Sequence, residues 1–179
     1  EFAYAWEAVR SGRFGVLRAA HFTRVISKPD WSSGIADVQR SGGPAIDLHI
    51  HDTHYIVVLW GVPQAVHSRG VIDQGVVTHL VTQYLYEDPS APVISAVSGA
   101  LSQAGRPFLH AFDMACETAT LCYEFATLGD QPCLAMPLSV ILPNGTVERP
   151  DLGSGDPVEA FTRELQTAVV SIATGQDSP

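Results

Sequence analysis

The sequence is short of charge, of cysteine and of lysine, and each shortage excludes something. Charged side chains make up 16% of its 179 residues, against about 25% in typical soluble domains, so part of the surface is expected to lie against another surface. The 10 Lys and Arg fall well below the 19 Asp and Glu, for a formal charge of −9. That balance excludes the clustered basic surface that tracks phosphates, and nucleic acid is not an expected partner. The three cysteines, Cys116, Cys122 and Cys133, are odd in number and lack the C-x-x-C spacing of a zinc knuckle or redox motif. Free thiols in a reducing, cytoplasmic setting are the expectation. No apolar run approaches the roughly 20 residues that cross a bilayer, so no membrane partner is expected. The chain opens Glu1-Phe2 with no Met, basic stretch or apolar leader, the opening of a fragment or a processed chain.

What remains is the composition of a folded domain: 46% hydrophobic residues, punctuated by 15 Gly and 12 Pro. Nothing repeats and no linker divides the chain, so residues 1–179 read as one domain. Tyr4 to Arg10 has helical apolar spacing and stops at Ser11-Gly12. Val16 to Ser27 is strand-like, and residues 29–43 read as a long loop, where Trp31 either walls a site or packs the loop down. Gly42-Gly43-Pro44 opens a stretch from Ala45 to Trp60, closed by Gly61, that the spacing predicts as one continuous, mostly buried helix. Five β-rich segments follow: Val66 to Ile72, Val76 to Tyr86, Val93 to Leu101, Phe108 to Cys116 and Thr118 to Phe125. They predict successive antiparallel strands. One or two short strands are expected between Pro132 and Val147, around the turn at Asn144-Gly145. A last helix from Val158 to Thr174 carries Phe161, Leu165, Ala168, Val169 and Ile172 on one face. The fold class is α+β, a large sheet covered by helices.

One segment concentrates the chemistry. Asp47-Leu48-His49-Ile50-His51-Asp52-Thr53-His54 holds three of the seven histidines and two carboxylates. On a strand, Asp47, His49 and His51 would share a face. Read so, Asp-x-His-x-His resembles the first-strand motif of amidohydrolase-like barrels, and His-x-His-Asp-x-His is similar to the metal-binding run of the metallo-β-lactamase fold. That reading implies a metal-dependent hydrolase. Against it, such a barrel needs roughly 200 residues or more with strands alternating with helices, and here strand follows strand. On a helix, Asp47, His51 and His54 come together and His49 and Asp52 point elsewhere. A carboxylate one turn before an imidazole suits acid/base work near neutral pH.

In that helical setting, Gly42-Gly43 followed by Asp47-x-x-x-His51-Asp52 resembles the signature that opens the catalytic helix in the C-terminal domain of the Gfo/Idh/MocA oxidoreductases. Ser11-Gly12-Arg13-Phe14-Gly15 ahead of a strand, Gly61-Val62-Pro63 ahead of Val66, the segment Thr118 to Phe125 and the helix around Phe161 and Leu165 resemble further steps of the family, in order. The resemblance implies an open, mainly antiparallel mixed sheet with helices on one face: the substrate-binding and oligomerisation half of a two-domain NAD(P)-dependent dehydrogenase of sugars, inositols or similar polyols. The NAD or NADP of such an enzyme would be held by a dinucleotide-binding domain that is missing here, for this chain has no Gly-x-Gly-x-x-Gly after a strand. The family's Glu-Lys-Pro is missing too; the single lysine, Lys28, lies in Ser27-Lys28-Pro29. By the same resemblance His51 is the acid/base, Asp47 positions it, and no residue serves a metal. His54, standing where many members carry Asp, contacts substrate, with Trp31, Pro29 and Arg106 as further contacts. His49 is expected to be a surface or satisfied core histidine. A homo-oligomer through the sheet face, between Val66 and Phe125, accounts for the thin polar cover. A non-catalytic binding or assembly module shares this fold expectation and would make Asp47 and His51 dispensable.

Overall fold

A computed structural model of the protein describes residues 1–27, 41–129, 131–153 and 157–175. Helix α1 (Phe2–Arg10) leads through a tight turn into strand β1 (Leu17–Ser27); then come a single turn α2 (Pro44–Asp47) and helix α3 (His49–Trp60). Strands β2 (Ala65–Asp73), β3 (Val76–Leu85), β4 (Val93–Leu101), β5 (Phe108–Cys116), β6 (Thr120–Leu128), β7 (Gln131–Ile141) and β8 (Val147–Glu148) follow, and helix α4 (Pro157–Thr174) ends the chain. The strands form one eight-stranded sheet in the order β2-β3-β4-β1-β5-β6-β7-β8. Every neighbouring pair is antiparallel except β1 and β4, which run parallel from Ala19 beside Val93 to Ser27 beside Leu101. The mixed sheet arises because β1 inserts between two meanders formed later in the chain.

The turn from α1 into β1 shows why glycine stands there. Gly15 has φ +75°, and a β-carbon on it would lie 2.7 Å from Glu117 Oε2, so only glycine combines the left-handed backbone with that close approach. Glu117 in turn carries the exposed Arg18 ion pair at 3.4 Å.

The core lies between α1, α3 and one face of the sheet. Along β1 and β4, Ala20, Phe22, Ile94 and Ala96 are buried, at the period of two expected of a strand with one covered face. The Phe2 ring of α1 meets Phe112 at 5.0 Å and Tyr55 of α3 at 5.2 Å, both edge-on. Phe22 meets the same Tyr55 at 5.5 Å. Ala5 and Ala8 are buried with Ile56 and Leu59; their small side chains let α1 approach α3 closely. No helix among the described residues is long and apolar enough to cross a membrane.

Three expectations are corrected. The helix predicted as continuous from Ala45 to Trp60 is broken at Leu48, which separates α2 from α3. Leu48 is buried there, and Ile, Val, Thr and His are weak enough helix formers for tertiary packing to decide the path. The short strand expected after Pro132 is instead an 11-residue β7, accommodated by register shifts around Glu124 of β6. The third correction concerns α4, which forms as the spacing predicts but does not cover the sheet: Phe161 is 66% and Ile172 84% exposed.

Candidate active site

The site is built where α3 begins. Gly42 and Gly43 hold φ +75° and +73°, turning the chain into α2, whose Ile46 and Asp47 amides donate to the Gly43 carbonyl at 3.1 and 3.0 Å. After the break at Leu48, α3 presents two stripes. His49, Asp52, Ile56 and Leu59 face inward, at the three-to-four-residue spacing of one helix face. Ile50, His51, His54 and Val58 are exposed.

The inward stripe is tied to the sheet by polar contacts. Asp52, 1% exposed, receives the Arg24 guanidinium of β1 on both oxygens, Nη2 to Oδ1 at 3.0 Å and Nε to Oδ2 at 3.3 Å. A forked pair of this kind fixes orientation as well as distance. His49 Nδ1 lies 2.9 Å from Ser98 Oγ of β4, and its Nε2 lies 3.3 Å from the Tyr84 hydroxyl of β3. Tyr84 also shares a 2.6 Å hydrogen bond with Thr53. Burial lowers the His49 pKa against a smaller opposing pull from Asp52, and burial raises that of Tyr84. These groups therefore stay neutral near neutral pH, and each finds its partners without a charge.

The outward stripe is different in character. His51 and His54 are exposed on α3, and Asp47 is half-buried on α2 just before it. Among the described residues no hydrogen bond or ion pair joins Asp47 to His51; the break at Leu48 stands between them. Arg106 is half-buried in the turn after β4. Since Ser27 pairs with Leu101 and Ile26 with Phe108, and α3 runs back from Ser98 toward Phe22, that turn lies at the end of the sheet where α3 starts. Trp31 and Pro29 lie outside the described residues. Sequence spacing grouped Asp47, His51 and His54 on one helix, whereas the structure keeps only the two histidines on α3. Spacing missed Arg24, Tyr84 and Ser98, whose only local signal was a polar residue inside a strand. Of the two expectations for His49, a surface or a satisfied core histidine, the structure shows the second.

Other groupings fare differently. Among the described residues no three His, Cys, Asp or Glu side chains come together to hold a metal ion.

The architecture, an eight-stranded mixed sheet with helices, matches the C-terminal domain of Gfo/Idh/MocA-type oxidoreductases. Among solved structures, the chain is similar to the aldose-aldose oxidoreductase of Caulobacter crescentus, in complex with glycerol, at TM-score 0.71 and 18% identity over 99% of this chain and 51% of that one. It is similar to a levoglucosan dehydrogenase in complex with NADH and levoglucosan, at TM-score 0.70 and 16% identity over 99% of this chain and 57% of that one. An oxidoreductase of Agrobacterium radiobacter, in complex with NAD+, L-tartaric acid and magnesium, aligns at TM-score 0.67 and 14% identity over 99% and 53%. The chain thus spans about half the length of the solved structures it resembles. No protein-family model and no curated protein matches the sequence.

Proposed function

We propose that this chain is the substrate-binding and oligomerisation half of an NAD(P)-dependent oxidoreductase acting on a sugar, inositol or similar polyol, with His51 as acid/base. The observation that carries the reading is the outward stripe of α3, the exposed His51 and His54, which follows the half-buried Asp47 of α2, on a helix that the Arg24–Asp52 pair anchors to a fold shared with sugar dehydrogenases. Alcohol oxidation needs a base within hydrogen-bond reach of the hydroxyl, and an imidazole exchanges a proton at neutral pH. His51 takes that proton on a ring nitrogen, and Asp47 orients the ring once substrate closes the site. His54, one turn along, and Arg106, at the same end of the sheet, hydrogen-bond further hydroxyls. The redox partner is held on a separate half, and the exposed Ile50 and Val58 beside the histidines give that half an apolar surface to meet. Copies of the chain associate through the sheet face that the helices leave open.

The test is His51→Ala in the complete enzyme, that is, this chain joined to its dinucleotide-binding half. Turnover falls by roughly 10² to 10⁴ if His51 moves the proton; unchanged turnover removes it from the mechanism. Stoichiometric zinc in the purified protein, lost with His49 and His51 substitutions, would replace this reading with a metal-dependent hydrolase. A complete protein that binds polyol yet is indifferent to both Asp47→Ala and His51→Ala would instead be a binding module.

A further inference from the structure

Asp47 and His51 do not hold each other in place. Asp47 ends α2 and His51 stands in the first turn of α3, with the break at Leu48 between them. That turn also begins without a side-chain cap, the usual means of steadying a helix start. What holds it is the sheet beneath. The Tyr84 hydroxyl of β3 lies 2.6 Å from Thr53 Oγ1 and 3.3 Å from His49 Nε2. Residues 49 and 53 are one turn apart on a helix, with His51 midway between them. A phenol hydroxyl offers one donor and two acceptor sites, so a single oxygen serves both neighbours. His49 Nδ1 carries the chain on to Ser98 Oγ of β4 at 2.9 Å.

Among the described residues, every side-chain hydrogen bond between α3 and the sheet starts from His49, Asp52 or Thr53; the one further along, from Tyr55, goes to the Phe2 carbonyl of α1. The polar ties are thus concentrated in the turn that carries His51. Meanwhile α2 packs against β3 and β4, the strands that supply Tyr84 and Ser98. We propose that Tyr84 is a positioning residue for His51: through His49 and Thr53 it fixes the first turn of α3 on β3 and β4, and so sets the separation from Asp47 that the broken helix leaves open. The proposal rests on the reading of His51 as acid/base and adds what holds it in place. The Arg24–Asp52 fork ties the same turn to β1, and two anchors on different strands fix a rotation that one does not. Proton transfer is sensitive to such placement, since a displacement of about 1 Å can cost on the order of 10²-fold in rate. Tyr84 and Ser98 are buried, so no bulk water replaces a bond lost from this chain.

The experiment measures kcat and KM of the complete enzyme with NAD+ or NADP+ and whichever of D-glucose, levoglucosan and myo-inositol it oxidises fastest. The variants are Tyr84→Phe, Thr53→Val and Thr53→Ser, the first also combined with Thr53→Val and with Asp47→Ala. Tyr84→Phe keeps the ring and removes one hydroxyl; kcat is expected to fall about tenfold with KM within about threefold. Thr53→Val lowers kcat in the same direction, and Thr53→Ser, which keeps the hydroxyl, restores it to within about twofold. Because Tyr84 and Thr53 share one bond, Tyr84→Phe with Thr53→Val costs little more than Tyr84→Phe alone. In the Asp47→Ala enzyme, where no separation is left to set, Tyr84→Phe costs less than about twofold. A Tyr84→Phe enzyme that unfolds at lower temperature with kcat unchanged, or whose loss multiplies in full with that of Asp47→Ala, overturns the positioning role; a large loss in His51→Ala then leaves the acid/base reading standing. A complete enzyme that oxidises none of the three, or whose turnover His51→Ala leaves unchanged, overturns that reading and the proposal with it.

Discussion

Strand β4 carries two serine–histidine pairs on opposite faces. Ser98 meets His49 Nδ1 at 2.9 Å on the face beneath α3, and Ser95 meets His21 Nδ1 at 2.8 Å on the open face. The atoms and distances are nearly the same; the surroundings are not. His49 is buried, its second nitrogen takes up Tyr84, and burial holds it toward the neutral form, whereas His21 is exposed. A hydrogen bond contributes little by its geometry alone, since water offers an exposed group the same partner, and much by what its loss would leave unsatisfied. The covered face therefore uses its polar groups to hold α3 still. On the open face His21 meets water instead.

The strongest way to break this contrast is to cut the anchor of α3. Asp52→Ala leaves the Arg24 guanidinium, whose side chain is 15% exposed, without its counter-charge, and is expected to lower unfolding free energy by about 3–5 kcal/mol. His51→Ala, on the adjacent residue but facing out, stays within about 0.5 kcal/mol. Urea unfolding of the two variants side by side checks both, and equal losses would refute the division of α3 into an anchoring and a working stripe.

A second effect is pH-dependent and belongs to the covered face. His110 lies among Phe2, Phe108, Tyr123 and Phe125, and burial, aided by nearby positive charge including Arg24, lowers its pKa from 6.5 to about 4. Between these values the unfolded chain binds the proton and the folded chain does not, so stability falls as pH drops from about 6.5 toward 4 and is complete above that window. Comparing unfolding at pH 7.5 and pH 5, the unaltered protein should lose about 1–2 kcal/mol more than His110→Phe, after allowing for partial screening of the ring. Identical pH dependence in the two proteins would mean that His110 is not held neutral.

Much of the architecture was legible because strands and helices here are punctuated locally. Val93–Leu101 and Phe108–Cys116 stand where the β-rich runs placed them, with Gly and Pro at their ends. The parallel pairing of β1 with β4 was not legible, since Ala19 and Val93 find each other through topology rather than through any nearby signal. The break at Leu48 was hidden for a related reason: glycine and proline marked where the helix starts, but the path of residues 45–48 is set by packing under the sheet. For the site, spacing grouped Asp47 with His51 and His54 on one helix; the two histidines do share α3, but Asp47 lies on α2 across the break at Leu48. Arg24 and Asp52 are 28 residues apart and Ser98 and His49 are 49 apart, so the groups that anchor the helix appear only once the sheet has formed. The exposed apolar face of α4 is the reverse case. Its periodicity forms the helix, and no periodicity says what covers it.

The smallest effect returns to the two serines and is the sharpest test of the contrast between the faces. Ser98→Ala removes one partner of the buried His49 and leaves its Nδ1 facing an apolar neighbour, at an expected cost of about 1 kcal/mol or somewhat more. Ser95→Ala removes the same atom from the exposed His21, whose nitrogen turns to water, and the protein should remain within about 0.5 kcal/mol of the unaltered one. Thermal unfolding at protein concentrations low enough to keep the chain monomeric isolates this difference from association. Were Ser95→Ala to cost as much as Ser98→Ala under those conditions, the polar groups of the open face would stabilise the single chain as strongly as those of the covered one.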